Sequence, residues 1–180
     1  KKILLYVGNQ KKRRKPIFLV EVKSKLTENY VLIMVGSGPD VSEVNDHIEK
    51  LHLQKRCLQL GKLPQDQLPS LYEQSDLFLL ASNYEIFGMV LLESMYFGLP
   101  VISTLTAGSD AIIKSGVDGI VIDNLNVEVW TTNIKKLVDN KFELREMKRN
   151  AHAKIENQLV WDKTVNEFIN LYNKAFSYGK

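Results

Sequence analysis

The chain has 180 residues, of which 44% are apolar and 25% are charged, a balance that suits a buried core and excludes a disordered segment. Its formal net charge of +3 is too small to indicate a nucleic-acid partner, and no apolar run approaches the length of a membrane span. We therefore expect one globular domain over residues 1–180.

Short apolar runs alternate with longer segments of helical period, which is typical of βα units and a parallel sheet. Six runs predict strands, at residues 3–7, 31–35, 56–60, 76–80, 100–103 and 119–122. Other segments predict helices, at 17–26, 41–51, 65–73, 89–97, 110–114, 127–138, 142–155 and 161–176. The predicted fold class is therefore α/β, a doubly wound, Rossmann-like parallel sheet with helices on both faces.

Most predicted strands are followed at once by a small residue, as at Gly8, Gly36, Gly61 and Ser82. In an open parallel sheet the turns after the strands lie along one edge, and ligands bind there where the strand order reverses. The candidates for chemistry are therefore expected to converge at this edge.

The turn VGSGPD, residues 35–40, is glycine-rich and superficially similar to a dinucleotide-binding fingerprint. It follows the second predicted strand and lacks the third glycine, so it is weak evidence for NAD. We therefore predict no dinucleotide cofactor.

The predicted helix at 89–97 carries a carboxylate, Glu93, in an apolar setting. Its neighbours on the same helical face are apolar apart from one phenol: Met89, Val90, Tyr96 and Phe97. A buried carboxylate costs about 2 kcal/mol or more unless donors reach it, and no lysine or arginine is close in sequence. Either a distant residue or a ligand supplies the donor, unless Glu93 is merely solvated at the end of a cleft. If a ligand supplies it, removing the carboxylate should leave the ligand-free protein unchanged or more stable.

Glu85 precedes the same helix, and Gly88 makes a continuous helix through both glutamates doubtful. A helix that begins near Phe87 leaves Glu85 in the preceding loop and frees the amides of Gly88, Met89 and Val90 to point at an anion. The alternative is that Glu85 is an ordinary acidic residue favoured by the helix dipole.

Several motifs occur in one order along the chain: a VG turn with a basic loop, VGSGP, LGKLPQDQLPSLYEQSDLFLLAS, SNYEIFGMVLLESMYFGLPVIST and GVDGIVID. Together with the pair Glu85 and Glu93, they closely resemble the donor site of retaining GT-B-type glycosyltransferases of family four (glycosyl transferases group 1). The resemblance covers nearly the whole chain. It implies a nucleotide-sugar (donor) binding domain, with the N-terminal acceptor domain absent from this chain.

The resemblance also implies roles for individual residues. Glu93 would hold the ribose hydroxyls of the nucleotide, and Glu85 would be a catalytic residue against the donor sugar. The amides of residues 87–90 would bind the diphosphate or the sugar, with the helix N-terminus in place of a metal. Lys62 and Leu63 would lie against the base.

The basic loop KKRRK, residues 11–15, departs from the family pattern. The family usually places an arginine directly after Gly8, where this chain has Asn9, and a lysine six residues further on, which Lys15 matches. Arg13 and Arg14 are the candidates to substitute for the arginine. We favour phosphate binding, and a catalytic role, for Lys15, whereas the first two lysines of the loop are expected to be solvated.

The activity implied by the resemblance is transfer of a hexose from a nucleotide-diphosphate sugar to an acceptor, in polysaccharide or glycolipid assembly. A UDP-sugar is the favoured donor and a GDP-sugar the alternative, and this fragment alone is expected to bind donor without transferring sugar. The rival interpretations are a non-catalytic nucleotide-binding module and a sugar-nucleotide epimerase on the related fold. The single cysteine, Cys57, suits a reducing compartment. We expect a cytoplasmic protein, with room for peripheral membrane association through the missing half.

The C-terminal segment is rich in large aromatic residues, at Trp130, Trp161, Phe168 and Phe176. We expect these residues to expose an apolar patch that faces the absent domain.

Overall fold

The computed structural model describes residues 1–158 and Ile169. Its sheet has six parallel strands in the order β3-β2-β1-β4-β5-β6. The strands are β1 (Lys2–Val7), β2 (Tyr30–Val35), β3 (Cys57–Gly61), β4 (Leu77–Leu80), β5 (Val101–Thr104) and β6 (Gly119–Ile122). Each lies within one residue of its predicted position. The prediction of a doubly wound parallel α/β sheet is confirmed.

The helices of the described part of the chain are α1 (Pro16–Ser24), α2 (Val41–Lys50), α3 (Leu68–Gln74), α4 (Met89–Tyr96), α5 (Ala107–Ile112), α6 (Val127–Asp139) and α7 (Lys141–Gln158). Two short 3₁₀ turns, Lys12–Arg14 and Gln65–Gln67, precede α1 and α3. The helix predicted at 161–176 lies outside the described residues.

The central strands are mostly apolar because helices cover the sheet, whereas the edge strand β3 is partly exposed. β4 and β5 are buried at every position. α1 packs against α2 and α6, with Phe18 meeting the ring of Trp130 edge to face at 5.3 Å, while α4 packs against α5 and α7. No helix within the described residues is long and apolar enough to cross a bilayer.

Trp130 does not belong to an exposed apolar patch, so that prediction is wrong for this residue. It is fully buried on α6, and its indole N–H donates to the carbonyl of Asn124 at 3.0 Å. The helical period of α6 turns it inward, against α1. The other aromatic residues of the predicted patch, Trp161, Phe168 and Phe176, lie outside the described residues.

The strand order reverses between β1 and β4, which are neighbours through the pairs Leu4–Leu77 and Leu5–Phe78. The turn after β1 and the turn after β4 therefore face each other across one crevice. The sequence-predicted candidates for chemistry on these turns are thereby brought together.

Candidate functional site

The turns after β1 and β2 are packed backbone against backbone. Gly36 has a φ of +124°, and a Cβ added there would lie 2.0 Å from the carbonyl oxygen of Gly8. A Cβ on Gly38 would lie 2.2 Å from the carbonyl oxygen of Gln10. The glycines of VGSGPD are therefore explained by the close approach of two turns.

Two amide side chains, one buried (Gln10) and one half-buried (Gln59), join the β1 turn to β3. Gln10 donates to Gln59 at 2.7 Å, and Gln59 donates back at 3.1 Å. Lys62 and Leu63 follow directly after β3, where Lys62 is exposed and Leu63 is half-buried against the core. They lie at the edge strand, two strands away from β1, and the glutamine pair links them to the site. Sequence reasoning missed this pair because no motif marks it.

The basic loop is held against the turn after β4. The carbonyl of Arg13 accepts hydrogen bonds from the Asn83 amide at 2.8 Å and from the Ser82 hydroxyl at 3.3 Å. Lys15 caps α1 in the left-handed region, with a φ of 45°, and Pro16 begins the helix. The Lys15 side chain is half-buried and has no hydrogen bond or ion pair to any residue that the structure describes. It is thus available to a ligand.

Arg14 is the residue of the basic loop that turns inward onto Glu85. One guanidinium nitrogen (Nη2) lies 2.8 Å from Glu85 Oε2, and each of the two side chains is only 14% exposed. The distance is that of an ion pair, but Oε2 accepts no aligned hydrogen bond. The contact between Arg14 and Glu85 is therefore an electrostatic ion pair and not a bidentate, hydrogen-bonded salt bridge.

The other two nitrogens of Arg14, Nε and Nη1, are buried and have no hydrogen-bond partner among the described residues. Nη1 lies 3.2 Å from the place where a Cβ on Gly8 would be, so the guanidinium covers the end of β1. Buried donors normally find partners, because an unpaired one costs about 1 to 3 kcal/mol. These donors give the crevice unused hydrogen-bonding capacity that an anion could satisfy.

Asn9 is exposed and adds no charge to the crevice. Its side-chain oxygen lies over Gly38, 2.6 Å from the place where a Cβ would be. Its carbonyl accepts a hydrogen bond from the Tyr6 hydroxyl at 3.0 Å. The positive charge beside Gly8 therefore comes from Arg14.

The N-terminus of α4 opens onto the same crevice. Gly88 precedes the helix with a φ of +59°, and its carbonyl accepts from the amide of Leu91 at 2.7 Å. The amides of Met89 and Val90 donate to no acceptor in the described part of the chain. A helix N-terminus with free amides attracts anions.

The loop before α4 is braced from behind by α5. The amide of Gly108 donates to the carbonyl of Glu85 at 2.9 Å, and a Cβ on Gly108 would lie 3.1 Å from the amide nitrogen of Gly88. The Phe87 side chain is 74% exposed. The loop therefore presents the Glu85 carboxylate to Arg14, while the large side chain of Phe87 lies in solvent.

Glu93 has a protein donor that the sequence did not reveal. The hydroxyl of Tyr72 on α3 donates to Glu93 Oε2 at 3.0 Å. Burial and, secondarily, the neighbouring Glu93 raise the pKa of Tyr72 far above its usual range, so this phenol remains a neutral donor. The sequence left two possible sources of a donor for Glu93, a distant residue and a ligand. The distant residue Tyr72 supplies a donor to Oε2. Glu93 is half-buried, and its Oε1 accepts no hydrogen bond from the described residues.

The site residues fall into two groups. Gly8, Arg14, Glu85 and Gly88 meet at the crevice between β1 and β4. Glu93 lies one turn into α4, beside Tyr72. The arrangement offers positive potential at the crevice and a fixed carboxylate beside it.

Sequence comparison with known proteins finds relatives over nearly the whole chain. The family model described as Glycosyl transferases group 1 matches residues 1–154. A relative from Bacillus anthracis named N-acetyl-alpha-D-glucosaminyl L-malate synthase is 30% identical over 173 residues, which cover 95% of this chain and 45% of the relative. An Escherichia coli relative is named UDP-Gal:alpha-D-GlcNAc-diphosphoundecaprenol alpha-1,3-galactosyltransferase. It is 26% identical over a stretch that covers 94% of this chain and 45% of the relative. The chain thus spans about half the length of these curated relatives.

The fold is also similar to that of solved structures. Anabaena Alr3699/HepE, crystallised in complex with UDP and glucose, superposes with a TM-score of 0.86 at 21% sequence identity. The likeness covers 96% of this chain and 48% of HepE. At this identity the likeness shows a shared architecture.

Proposed function

Since the chain belongs to the glycosyl transferases group 1 family, we propose that it is the donor-binding domain of a retaining hexosyltransferase. The enzyme transfers a hexose from a nucleotide-diphosphate sugar to an acceptor. The acceptor-binding half lies outside this chain, and the domain alone binds donor without turnover. One observation carries the proposal: Arg14 keeps two unpaired donors buried at the strand-order reversal.

The diphosphate fits this position because the Arg14 guanidinium and the free amides at the start of α4 lie at the crevice. Lys15 follows Arg14 directly in the same loop and adds a positive charge without a partner among the described residues. Negative charge develops on the departing diphosphate as the bond to the sugar breaks, and fixed donors stabilise that charge. Arg14 supplies the cation that Asn9 lacks, which weakens the interpretation of a decayed, non-catalytic module.

The remaining residues suit the rest of the donor. Glu85 lies beside the phosphate position and contacts hydroxyls of the transferred sugar, while Glu93 accepts from the ribose. Lys62 and Leu63 meet the base. A UDP-sugar is the donor we favour, because HepE was crystallised with UDP and the E. coli relative is named for UDP-Gal. The latter name also supports a role in polysaccharide or glycolipid assembly.

Calorimetric titration of the domain with UDP, GDP and their hexose conjugates tests this proposal. We expect binding of a nucleoside diphosphate, with the same affinity in EDTA and in Mg²⁺, because protein donors fill the place of a metal. A radiolabelled-sugar assay on the longer protein should then show transfer. Failure to bind any nucleoside diphosphate would contradict the proposal, and binding abolished by EDTA would contradict its metal-free part.

Replacing Lys15 with alanine should weaken binding of UDP by about 1.5 to 3 kcal/mol and leave binding of uridine nearly unchanged. The ammonium makes a charge-assisted contact only when phosphates are present. The exposed neighbour Lys12 provides the matched control, since Lys12→Ala removes the same charge from the loop at a solvated position. Equal losses for UDP and uridine would count against a phosphate role.

A further inference from the structure

We propose that Tyr72 is a positioning residue that holds Glu93 for the ribose of the donor nucleotide. Its hydroxyl fixes one carboxylate oxygen, so that the other is presented to the two ribose hydroxyls. The inference rests on the proposed function and deepens it, because it assigns the group that sets recognition of ribose.

The contact between the two side chains joins separate helices. Tyr72 lies on α3 and Glu93 on α4, with the phenol oxygen 3.0 Å from Glu93 Oε2. A carboxylate offers about four acceptor positions over its two oxygens. The phenol fills one position on Oε2, and the rest remain for ligand hydroxyls.

The phenol cannot turn away from Glu93 because its ring is clamped. Tyr72 is only 2% exposed. Its ring stacks on Phe97 with the planes 4° apart and the centroids at 5.5 Å, and it leans on Phe78 of β4 at 6.0 Å. A clamped donor restricts the glutamate to one orientation before the ligand arrives, which lowers the entropy lost on binding.

A ribose-dependent role and a purely structural role predict different results for Tyr72→Phe. This change removes the hydroxyl and keeps the ring contacts. Without the donor, Glu93 is free to adopt several rotamers, and the affinity contributed by the ribose hydroxyls falls. A structural hydroxyl would instead lower stability and affect every nucleotide alike.

The test is calorimetric titration of the wild type and variants with UDP and with 2′,3′-dideoxy-UDP. The wild type should bind UDP at least about tenfold more tightly than the dideoxy analogue, since two bonds to a charged group are lost. Tyr72→Phe should reduce this ratio to within about threefold and leave binding of the analogue nearly unchanged. Urea unfolding of each protein monitors its stability in parallel.

Tyr30 provides a matched control. It is also buried, and its hydroxyl donates to a carboxylate, Asp139 Oδ1, at 3.2 Å. It is the first residue of β2, at the amino ends of the strands, whereas the crevice lies at their carboxyl ends. Tyr30→Phe should change the free energy of unfolding by about as much as Tyr72→Phe does. It should keep the wild-type ratio of the affinities for UDP and its dideoxy analogue.

A second variant, Phe97→Leu, loosens the packing around the Tyr72 ring but retains the hydroxyl. Its ratio of affinities for UDP and the dideoxy analogue should fall between those of the wild type and Tyr72→Phe.

An unchanged ratio in both Tyr72→Phe and Phe97→Leu would overturn the inference, as would equal losses of affinity for both ligands. A wild type that binds UDP and its dideoxy analogue equally would overturn the ribose role of Glu93 and this inference, but not donor binding. A wild type that binds no UDP would overturn the favoured UDP-sugar assignment as well.

Discussion

Replacing Glu93 with glutamine is expected to weaken nucleotide binding by at least about 2 kcal/mol and to leave the ligand-free domain almost as stable as before. The ribose hydroxyls lose a charged acceptor, which accounts for the loss of affinity. The amide oxygen of glutamine still accepts the hydrogen bond from Tyr72, which accounts for the unchanged stability. Calorimetric titration with UDP and urea unfolding of the ligand-free protein measure the two quantities separately.

Glu93→Leu should differ from Glu93→Gln in the stability of the ligand-free domain, so the two variants are compared. It removes both acceptors and leaves the Tyr72 hydroxyl buried without a partner, which lowers the free energy of unfolding by about 1 to 3 kcal/mol. For a carboxylate whose donors come only from a ligand, the sequence predicted an unchanged or more stable protein. The contact with Tyr72 reverses that expectation for leucine. Lower stability of Glu93→Gln with intact affinity would end the assignment to the ribose.

Arg14→Ala should weaken binding of UDP by about 1.5 to 3 kcal/mol and should affect uridine little. The guanidinium is a largely buried cation of the crevice, with two donors that pair with no residue in the described part of the chain. The variant should also be less stable, because Glu85 then remains in a largely buried position without its cation. Titration with both ligands and urea unfolding measure these effects.

Two further variants separate the binding effect of Arg14 from its effect on stability. Arg14→Ala combined with Glu85→Ala should recover part of the lost stability, since no unpaired carboxylate remains, but should not recover binding of UDP. Arg13→Ala removes an exposed charge next to Arg14, while the backbone carbonyl keeps its contacts to the β4 turn. If Arg13→Ala weakened UDP as strongly as Arg14→Ala, binding would depend on the charge of the loop rather than on the buried guanidinium.

The strands were predictable because buried parallel strands are short, continuous apolar runs that end at glycine, serine or proline. The boundaries of the helices were less predictable from the sequence. The start of α5 at Ala107 is set by Thr106 and Ser109, which bond to each other's backbone amides. The sequence TAGS differs from the usual capping box, which has Glu or Gln at the third helical position. The prediction therefore began this helix three residues late, at Asp110.

The site was predictable where the chemistry lies within one stretch of sequence, as for Glu85, Gly88 and Glu93. Which residue of KKRRK turns inward depends on the 3₁₀ turn and on the left-handed conformation of Lys15, and composition does not reveal either. Tyr72 lies 21 positions from Glu93, and only the packing of α3 beside α4 brings them together. Contacts of this kind require the fold.

The order of the strands also determines when the site can exist during folding. The halves β1–β3 and β4–β6 are each continuous in sequence, and each can pair locally. The seam between β1 and β4 is different, since the Ile3 amide reaches the Asp76 carboxylate across 73 positions. Closing so long a loop is entropically costly and slow relative to local pairing. The crevice lies on this seam, so the nucleotide that we propose to bind there needs the fully assembled sheet and would, by mass action, protect the whole domain against unfolding.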